Sequence, residues 1–380
     1  MEFRAVKRQY LELKPKIDEA IEAVLDSGAF IAGAAVKALE NSLAEYTGRA
    51  HCVSCANGTD AIELVMRAWG IGECDAVFVP DFTFFATAEP VRMLGAIPIF
   101  VDVRKDTFNM DPDSLEKAII SVKKDGRLNP KAVMAVDLFG QLADYGAIKK
   151  VTDKHGLFLF EDAAQSFGAS YKGKKACSFG DASITSFFPT KPLGCYGDGG
   201  AVFTDDEDKA ELIRSLTSHG KGRDKYDNVR VGRNSRLDTI QAAILNVKFE
   251  ALIRHELSAI NKAAELYTSY IKEIGINIQV PIMPEGMASS WAQYTICLPT
   301  GTDRQAVMRD LSEKDIPAMV YYATPLSKQK AFIDILDFQT SPCCVSERLS
   351  ETVLSLPMHP YLQKADIEKV CMALKKSLGT

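Results

Sequence analysis

Between Glu40 and about Thr204 the chain alternates helix-like segments with short unbroken apolar runs. The runs are Ala76-Val77-Phe78-Val79, Ile97-Pro98-Ile99-Phe100-Val101, Ala132-Val133-Met134-Ala135-Val136 and Leu157-Phe158-Leu159-Phe160. Apolar runs that do not alternate with polar residues suit strands buried on both faces. Separated by helical patterns, they predict a mostly parallel sheet sandwiched by helices, and so an α/β fold. His51 to Cys55 and Ser183 to Phe188 read as further strands, the first leading into an apolar helix that runs through Trp69. Beyond Arg236 a helical pattern from Leu237 to about Tyr270 connects to mixed segments such as Gln293 to Leu298. Two domains are expected: a large one over 1–250 and a smaller C-terminal α+β domain over 251–380.

The 380 residues are 47% apolar and 25% charged, enough for a sizeable core and unlike a disordered chain. A net charge of -5, with basic and acidic residues interleaved, provides no positive face for nucleic acid, so small-molecule partners are expected. The first residues lack the apolar core of a signal peptide, and no run approaches the roughly 18 apolar residues of a membrane span. A cytoplasmic protein with no membrane partner is the expectation. Nine cysteines in such a chain favour free thiols. Cys52 and Cys55 have C-x-x-C spacing, but no second pair or histidine couple completes a zinc site, and on a strand the two thiols face opposite ways. No metal is expected.

In open α/β sheets ligands bind beyond the carboxyl ends of strands, which directs attention to the polar residues ending the apolar runs. Leu157 to Phe160 leads directly into Glu161-Asp162-Ala163-Ala164-Gln165, two carboxylates and an amide, although either acid could also cap a helix. Asn57-Gly58-Thr59-Asp60-Ala61 offers backbone N–H groups and a hydroxyl at a helix start; that suits a phosphate, and equally an ordinary N-cap. Lys191 lies in the loop Pro189-Thr190-Lys191-Pro192-Leu193-Gly194, where desolvation lowers an amine's pKa and frees it for Schiff-base chemistry. Gly173-Lys174 does not complete a Walker sequence. A phosphate cradle, a strand-end acid and a lysine about thirty residues beyond it are together the parts needed to hold pyridoxal phosphate by its phosphate, ring nitrogen and aldehyde.

Glu161 to Ser170, Thr185 to Ala201 and Gly232 to Ala243 carry a resemblance that extends over nearly the whole chain. The sequence resembles the DegT-type nucleotide-sugar aminotransferases, which implies the type I, aspartate-aminotransferase fold of pyridoxal-phosphate enzymes. Within that family it is most similar to the enzymes that aminate carbon 3 of a UDP-linked 2-acetamido-2-deoxy-3-oxo-hexuronic acid. This closer likeness rests on Ser54 to Asp60, Glu161 to Tyr171, Ser186 to Gly200 and Ser355 to Tyr361. The resemblance implies that Lys191 carries the cofactor, Asp162 meets its ring nitrogen, Gln165 its ring hydroxyl and Phe84 its ring face. It assigns the phosphate to Gly58, Thr59 and Ser186, with Asn234 arriving from the neighbouring subunit of a homodimer. Arg236 is expected to receive the carboxylates of the sugar and, in turn, of L-glutamate, because a forked guanidinium suits planar anions.

Pyridoxamine phosphate would link two half-reactions, the first releasing 2-oxoglutarate and the second aminating the keto sugar for cell-surface polysaccharide such as lipopolysaccharide O-antigen. The chain departs from the family pattern at Val320-Tyr321-Tyr322-Ala323, which makes Tyr321 the expected pocket contact there. The basic loop His219 to Lys225, with Lys221 at its centre, reads either as a contact to the UDP diphosphate across the interface or as a solvated loop. Other readings are an aminotransferase acting on a TDP- or UDP-linked 3-keto or 4-keto deoxysugar, and a non-catalytic binding or regulatory protein on the same fold. The dehydratase branch, which has histidine in place of the lysine, is disfavoured by Lys191.

Overall fold

A computed structural model describes residues 1–224 and 226–379. Seven strands form the central sheet: β1 (His51–Cys55), β2 (Asp75–Pro80), β3 (Ile97–Val101), β4 (Asn129–Val136), β5 (Phe158–Asp162), β6 (Ala182–Ser186) and β7 (Gly200–Thr204). Their order across the sheet is β1-β7-β6-β5-β4-β2-β3. The neighbours from β3 to β6 pair in parallel, while β7 runs antiparallel to both β6 and β1. The reversal follows from connectivity. Residues 187–199 form a loop with no crossover helix, and without one a strand can return beside its predecessor only antiparallel.

The carboxyl ends of β1, β5 and β6 therefore share one edge of the sheet with the start of β7, where Gly200 stands opposite both Cys55 and Ser186. Helices cover the sheet, among them α1 (Val6–Ser27), α2 (Ala34–Thr47), α3 (Gly58–Ala68) and α4 (Pro112–Asp125). Local chemistry sets their ends. In α4 the Asp111 side chain accepts from Ser114 N, Pro112 occupies the first turn, and Gly126 closes the helix at φ 75°.

The helical stretch expected from Leu237 to about Tyr270 runs from Thr239 to Glu273, interrupted by one wider π turn at Leu252–Glu256. Beyond it Tyr294–Cys297 pairs antiparallel with Val353–Leu356, backed by helices Arg304–Ser312 and Lys364–Ser377. Phe78, Val133, Leu159, Ile184 and Val202 belong to the main core. Tyr267, Tyr294, Leu311, Leu354 and Val370 belong to a second core built from the C-terminal part of the chain. A bridging cluster of Phe82, Phe108 and Phe139 with Cys297 and Val353 packs against Tyr321 and Tyr322. The segment carrying Leu326, Phe332 and Ile335 returns to the main core, held there by Asp81, whose carboxylate accepts from Ser327 N at 2.7 Å and Ser327 Oγ at 2.9 Å.

Two boundaries move relative to expectation. Strand β5 extends through Glu161 and Asp162, so the acids are its last two residues and point to opposite faces. Strand β6 ends at Ser186, before Phe187 and Phe188. Cys52 and Cys55 are buried free thiols. No helix among the described residues is long and apolar enough to cross a membrane.

Candidate active site

The alternation at the end of β5 separates two acids that look alike in sequence. Glu161 accepts from the backbone N–H groups of Cys177 and Phe179, both at 2.8 Å, and lies beside Asp137. Asp137 in turn accepts from Ala143 N and from the hydroxyls of Tyr145 and Ser166. Burial pushes both of these carboxyl groups up, so Glu161 anchors structure beneath the sheet edge. Asp162 faces the other way. Its Oδ1 accepts from Ala164 N at 3.0 Å; burial raises its pKa, and the Ala164 bond and the charge of Lys191 oppose the rise.

The turn that presents Lys191 is fixed by backbone bonds from Lys191 N to Phe188 O at 2.9 Å and from Cys195 N to Phe187 O at 2.8 Å. Burial lowers the lysine's pKa, Asp162 acts to raise it, and Arg4 lowers it further. An amine held this way is neutral more often than a surface lysine, and its principal charged counterpart is Asp162.

The proposed phosphate cradle is close at hand. Asn57 Oδ1 accepts from Asp60 N at 2.7 Å, while the N–H groups of Gly58 and Thr59, in the first turn of α3, have no acceptor within the helix. A Cβ on Gly58 would lie 2.8 Å from the Cβ of Ser186, so glycine is what lets the helix end close on that hydroxyl residue. Arg233 pairs with Asp60 at 3.1 Å and also with Glu63, and Ser235 Oγ accepts from Ala56 N at 3.1 Å.

Gln165 is buried, with Oε1 accepting from Phe139 N at 2.7 Å and Nε2 donating to the Tyr322 hydroxyl at 3.1 Å. Phe84 is 53% exposed, its ring 6.0 Å from that of Tyr322. Tyr321 packs on Phe3, with ring centroids 6.2 Å apart. The chain thus gathers Gly58, Thr59 and Ser186 at one point of the sheet edge and Asp162 with Lys191 at another.

Asn234 and Arg236 behave differently. Along 233–237 exposure alternates, with Ser235 and Leu237 buried and Asn234 and Arg236 outward, where Arg236 Nε donates to Asn234 Oδ1 at 3.1 Å. Lys221 is exposed and pairs through its backbone with Asn228; Lys225, at the end of the same loop, lies outside the described residues. Sequence reasoning did not single out Tyr322 or His359, although it flagged the segments containing them, or Arg4, whose distance along the chain from Lys191 leaves no spacing signal. Arg4 Nη1 donates to Met358 O at 3.0 Å and to Ala292 O at 3.3 Å. A cleft of about 1230 Å³ lined by Tyr46, Arg49 and Tyr145 contains none of the expected site residues, whereas Lys191 borders a small cavity of about 40 Å³.

A profile described as the DegT/DnrJ/EryC1/StrS aminotransferase family matches residues 12–375. The chain belongs to this family. One relative of this aminotransferase is the UDP-2-acetamido-2-deoxy-3-oxo-D-glucuronate aminotransferase of Pseudomonas aeruginosa, 44% identical over 98% of this chain and 99% of that protein. A protein of Geobacillus stearothermophilus named pleiotropic regulatory protein is 41% identical over 94% of this chain and 93% of its own length. Among solved structures, NtdA of Bacillus subtilis with the cofactor PMP bound superposes with a TM-score of 0.88 at 27% identity, over 100% of this chain and 85% of NtdA. The fold is that of this family's aminotransferases.

Proposed function

We propose that this aminotransferase uses pyridoxal phosphate to move an amino group from L-glutamate to carbon 3 of a UDP-linked 2-acetamido-2-deoxy-3-oxo-hexuronic acid. The product would be a 3-amino sugar nucleotide for cell-surface polysaccharide, such as O-antigen, made in the cytoplasm. The observation that carries the reading is a lysine with lowered basicity whose charged counterpart is a buried strand-end carboxylate. The relative acting on a 3-oxo-glucuronate supports the choice of sugar.

The residues fit the cofactor. When bound, pyridoxal phosphate supplies an aldehyde that takes up amines and a protonated ring that draws electron density from the neighbouring carbon. Gly58 and Thr59 offer free N–H groups, and Ser186 a hydroxyl, to its phosphate. Asp162 would hold the proton on the ring nitrogen. Gln165 keeps a second amide hydrogen, beyond the one given to Tyr322, for the ring hydroxyl. Phe84 offers the flat face of its exposed ring. Lys191 Nζ would remove the proton from the α carbon of glutamate and return one to carbon 3 of the sugar in the second half-reaction. The large unit 1–250 would bind the cofactor, with 251–380 as the smaller domain.

The outward pair Asn234 and Arg236 supports a homodimer with shared sites, in which the amide meets the partner's phosphate and the guanidinium a substrate carboxylate. Exposed Phe30, Ile31, Phe188, Val229 and Val231 are apolar surface suited to such an interface. Lys221 on the same loop would reach the diphosphate, and Tyr321 the sugar pocket.

The relative named a regulatory protein favours a second reading, in which the fold binds cofactor without turnover. The test follows the visible absorbance of the cofactor-loaded protein as glutamate and then UDP-linked 3-oxo and 4-oxo sugars are added. Bleaching by glutamate and recovery with the 3-oxo uronate alone supports the first reading. Recovery with a TDP- or UDP-linked 4-keto deoxysugar moves the substrate, and a band that never bleaches supports the regulatory one.

A further inference from the structure

Arg233 immediately precedes the segment that carries the outward pair Asn234 and Arg236, and its own side chain turns back into the protein. Its Nη2 lies 3.1 Å from Asp60 Oδ1, and its Nη1 pairs with Glu63 Oε2. Both acids belong to α3, with Asp60 in the first turn beside the unbonded N–H groups of Gly58 and Thr59. Asp60 is 7% exposed and Glu63 4%, so two carboxylates near one helix end are withdrawn from water. Such burial is costly unless a cation faces the charge. Glu63 is also reached by Arg67 Nε at 2.7 Å, whereas Arg233 is the one cation paired with Asp60 among the described residues. A forked guanidinium can span both acids at once, which a single ammonium cannot.

The backbone around Arg233 is held as well. Arg233 N donates to Leu216 O at 2.8 Å, Arg233 O accepts from His219 N at 2.9 Å, and Ser235 N donates to Thr217 O at 2.9 Å. A Cβ on Gly232 would lie 2.2 Å from Gly220 N and 2.6 Å from Leu216 O, so the chain passes this turn too closely for a side chain. The side chains of Arg233 and Ser235 then tie the segment to the junction between β1 and α3, Ser235 through the bond from Ala56 N at 3.1 Å. Of these two ties the desolvated ion pair is the stronger, because its hydrogen bonds are charge-assisted. Among the described residues the side chains of Asn234 and Arg236 bond only to each other, so the backbone between the inward ties sets where they stand.

We propose that Arg233 is a positioning residue: its clamp on Asp60 and Glu63 fixes segment 233–236 so that Asn234 and Arg236 are held in place for the partner's site. The inference rests on the reading of those two residues given above. It adds that what one subunit gives its partner is supported by the same helix end that would hold the first subunit's own cofactor phosphate. Arg233 itself touches neither cofactor nor substrate.

Equilibrium dialysis of the cofactor against each variant tests this. Arg233→Met should weaken cofactor binding by on the order of tenfold, and Asn234→Ala by a similar factor or more. Because the first is argued to act through the second, the two together should lose little beyond Asn234→Ala alone. At saturating cofactor, Arg233→Met should also raise KM for glutamate by a larger factor than it lowers kcat, since the guanidinium of Arg236 loses its placement. Arg233→Met leaves two buried carboxylates short of a cation and can fail to fold. The same measurements are therefore made on Arg233→Met/Asp60→Asn/Glu63→Gln, which removes the clamp and its charges together. This variant should still bind cofactor weakly. Wild-type affinity in it would mean that Arg233 only cancels charge near the phosphate, and additive losses with Asn234→Ala would mean that it acts by another route; either result overturns the proposal. If Asn234→Ala alone binds cofactor as wild type does, the underlying reading of Asn234 fails. If Asn234→Ala is weak and the Arg233 variants are not, only the positioning role fails.

Discussion

Glu161 and Asp162 are neighbours of the same chemical type, and what separates them is the company each keeps. Glu161 is held by two backbone N–H groups beside Asp137, whereas Asp162 accepts one local bond and faces the charge of Lys191. Asp162→Ala should therefore lower kcat by on the order of a hundredfold or more while cofactor affinity changes by much less, because on the proposed reading the carboxylate acts on the electronics of the ring. Stopped-flow rates and cofactor titration of the same variant check this, and equal losses in both would refute it. Lys191→Ala should abolish borohydride labelling and cut turnover by roughly a thousandfold, read by peptide mapping and steady-state assay. The sequence made these two residues candidates because a strand end and a Pro-bracketed loop are local patterns. The strand-end pattern by itself could not rank Glu161 against Asp162, which only the family resemblance did, since the backbone donors that separate them come from residues 164 to 179.

The same division between local and distant information holds for the elements. Unbroken apolar runs located β2 to β5, and the helical period located the long stretch from Thr239 to Glu273. The reversed direction of β7 depends on pairing across the sheet, and no run of residues encodes that by itself. Gly200 in β7 shows why the direction matters: a Cβ there would lie 2.6 Å from the carbonyl oxygen of Asn57 and 2.9 Å from Gly58 N. Gly200→Ala should push the start of α3 away from Ser186, weakening cofactor binding about tenfold and costing about 1–3 kcal/mol of stability. Equilibrium dialysis and thermal denaturation measure the two effects.

The segment around Ser327 offers a pH test of another joint. Burial raises the Asp81 carboxyl to about 6 from an ordinary value of 3.8, against the Ser327 hydrogen bonds that lower it. The folded protein then holds a proton that the unfolded chain has released. This contribution is fully present below pH 3.8 and is lost as pH rises through about 6. On the order of 3 kcal/mol should disappear across that window, and Asp81→Asn should flatten this part of the Tm against pH curve.

At the scale of the whole molecule, the described chain presents Asn234 and Arg236 on its outside while turning Ser235 and Leu237 inward. If these outward groups complete a site, the site belongs to another copy, because Ser235 ties the same segment to Ala56, behind the proposed phosphate cradle of its own chain. Sharing of this kind can be read genetically. Lys191→Ala subunits lack the amine but still offer Asn234; Asn234→Ala subunits have the amine but fail their partner. Each homodimer alone should be nearly inactive. Unfolded together in equal amounts and refolded, they form mixed dimers as about half of the population, each with one intact site and one doubly defective site. Activity should therefore return to about a quarter of wild type if two-fold assembly with exchanged residues is correct. If each site is built within one chain, no mixing can restore it, and activity stays at the level of the separate variants. Arg236→Ala in place of Asn234→Ala should behave in the same way, with the deficit appearing mainly in KM for the carboxylate substrates, since a substrate anchor acts on binding before it acts on the chemical step.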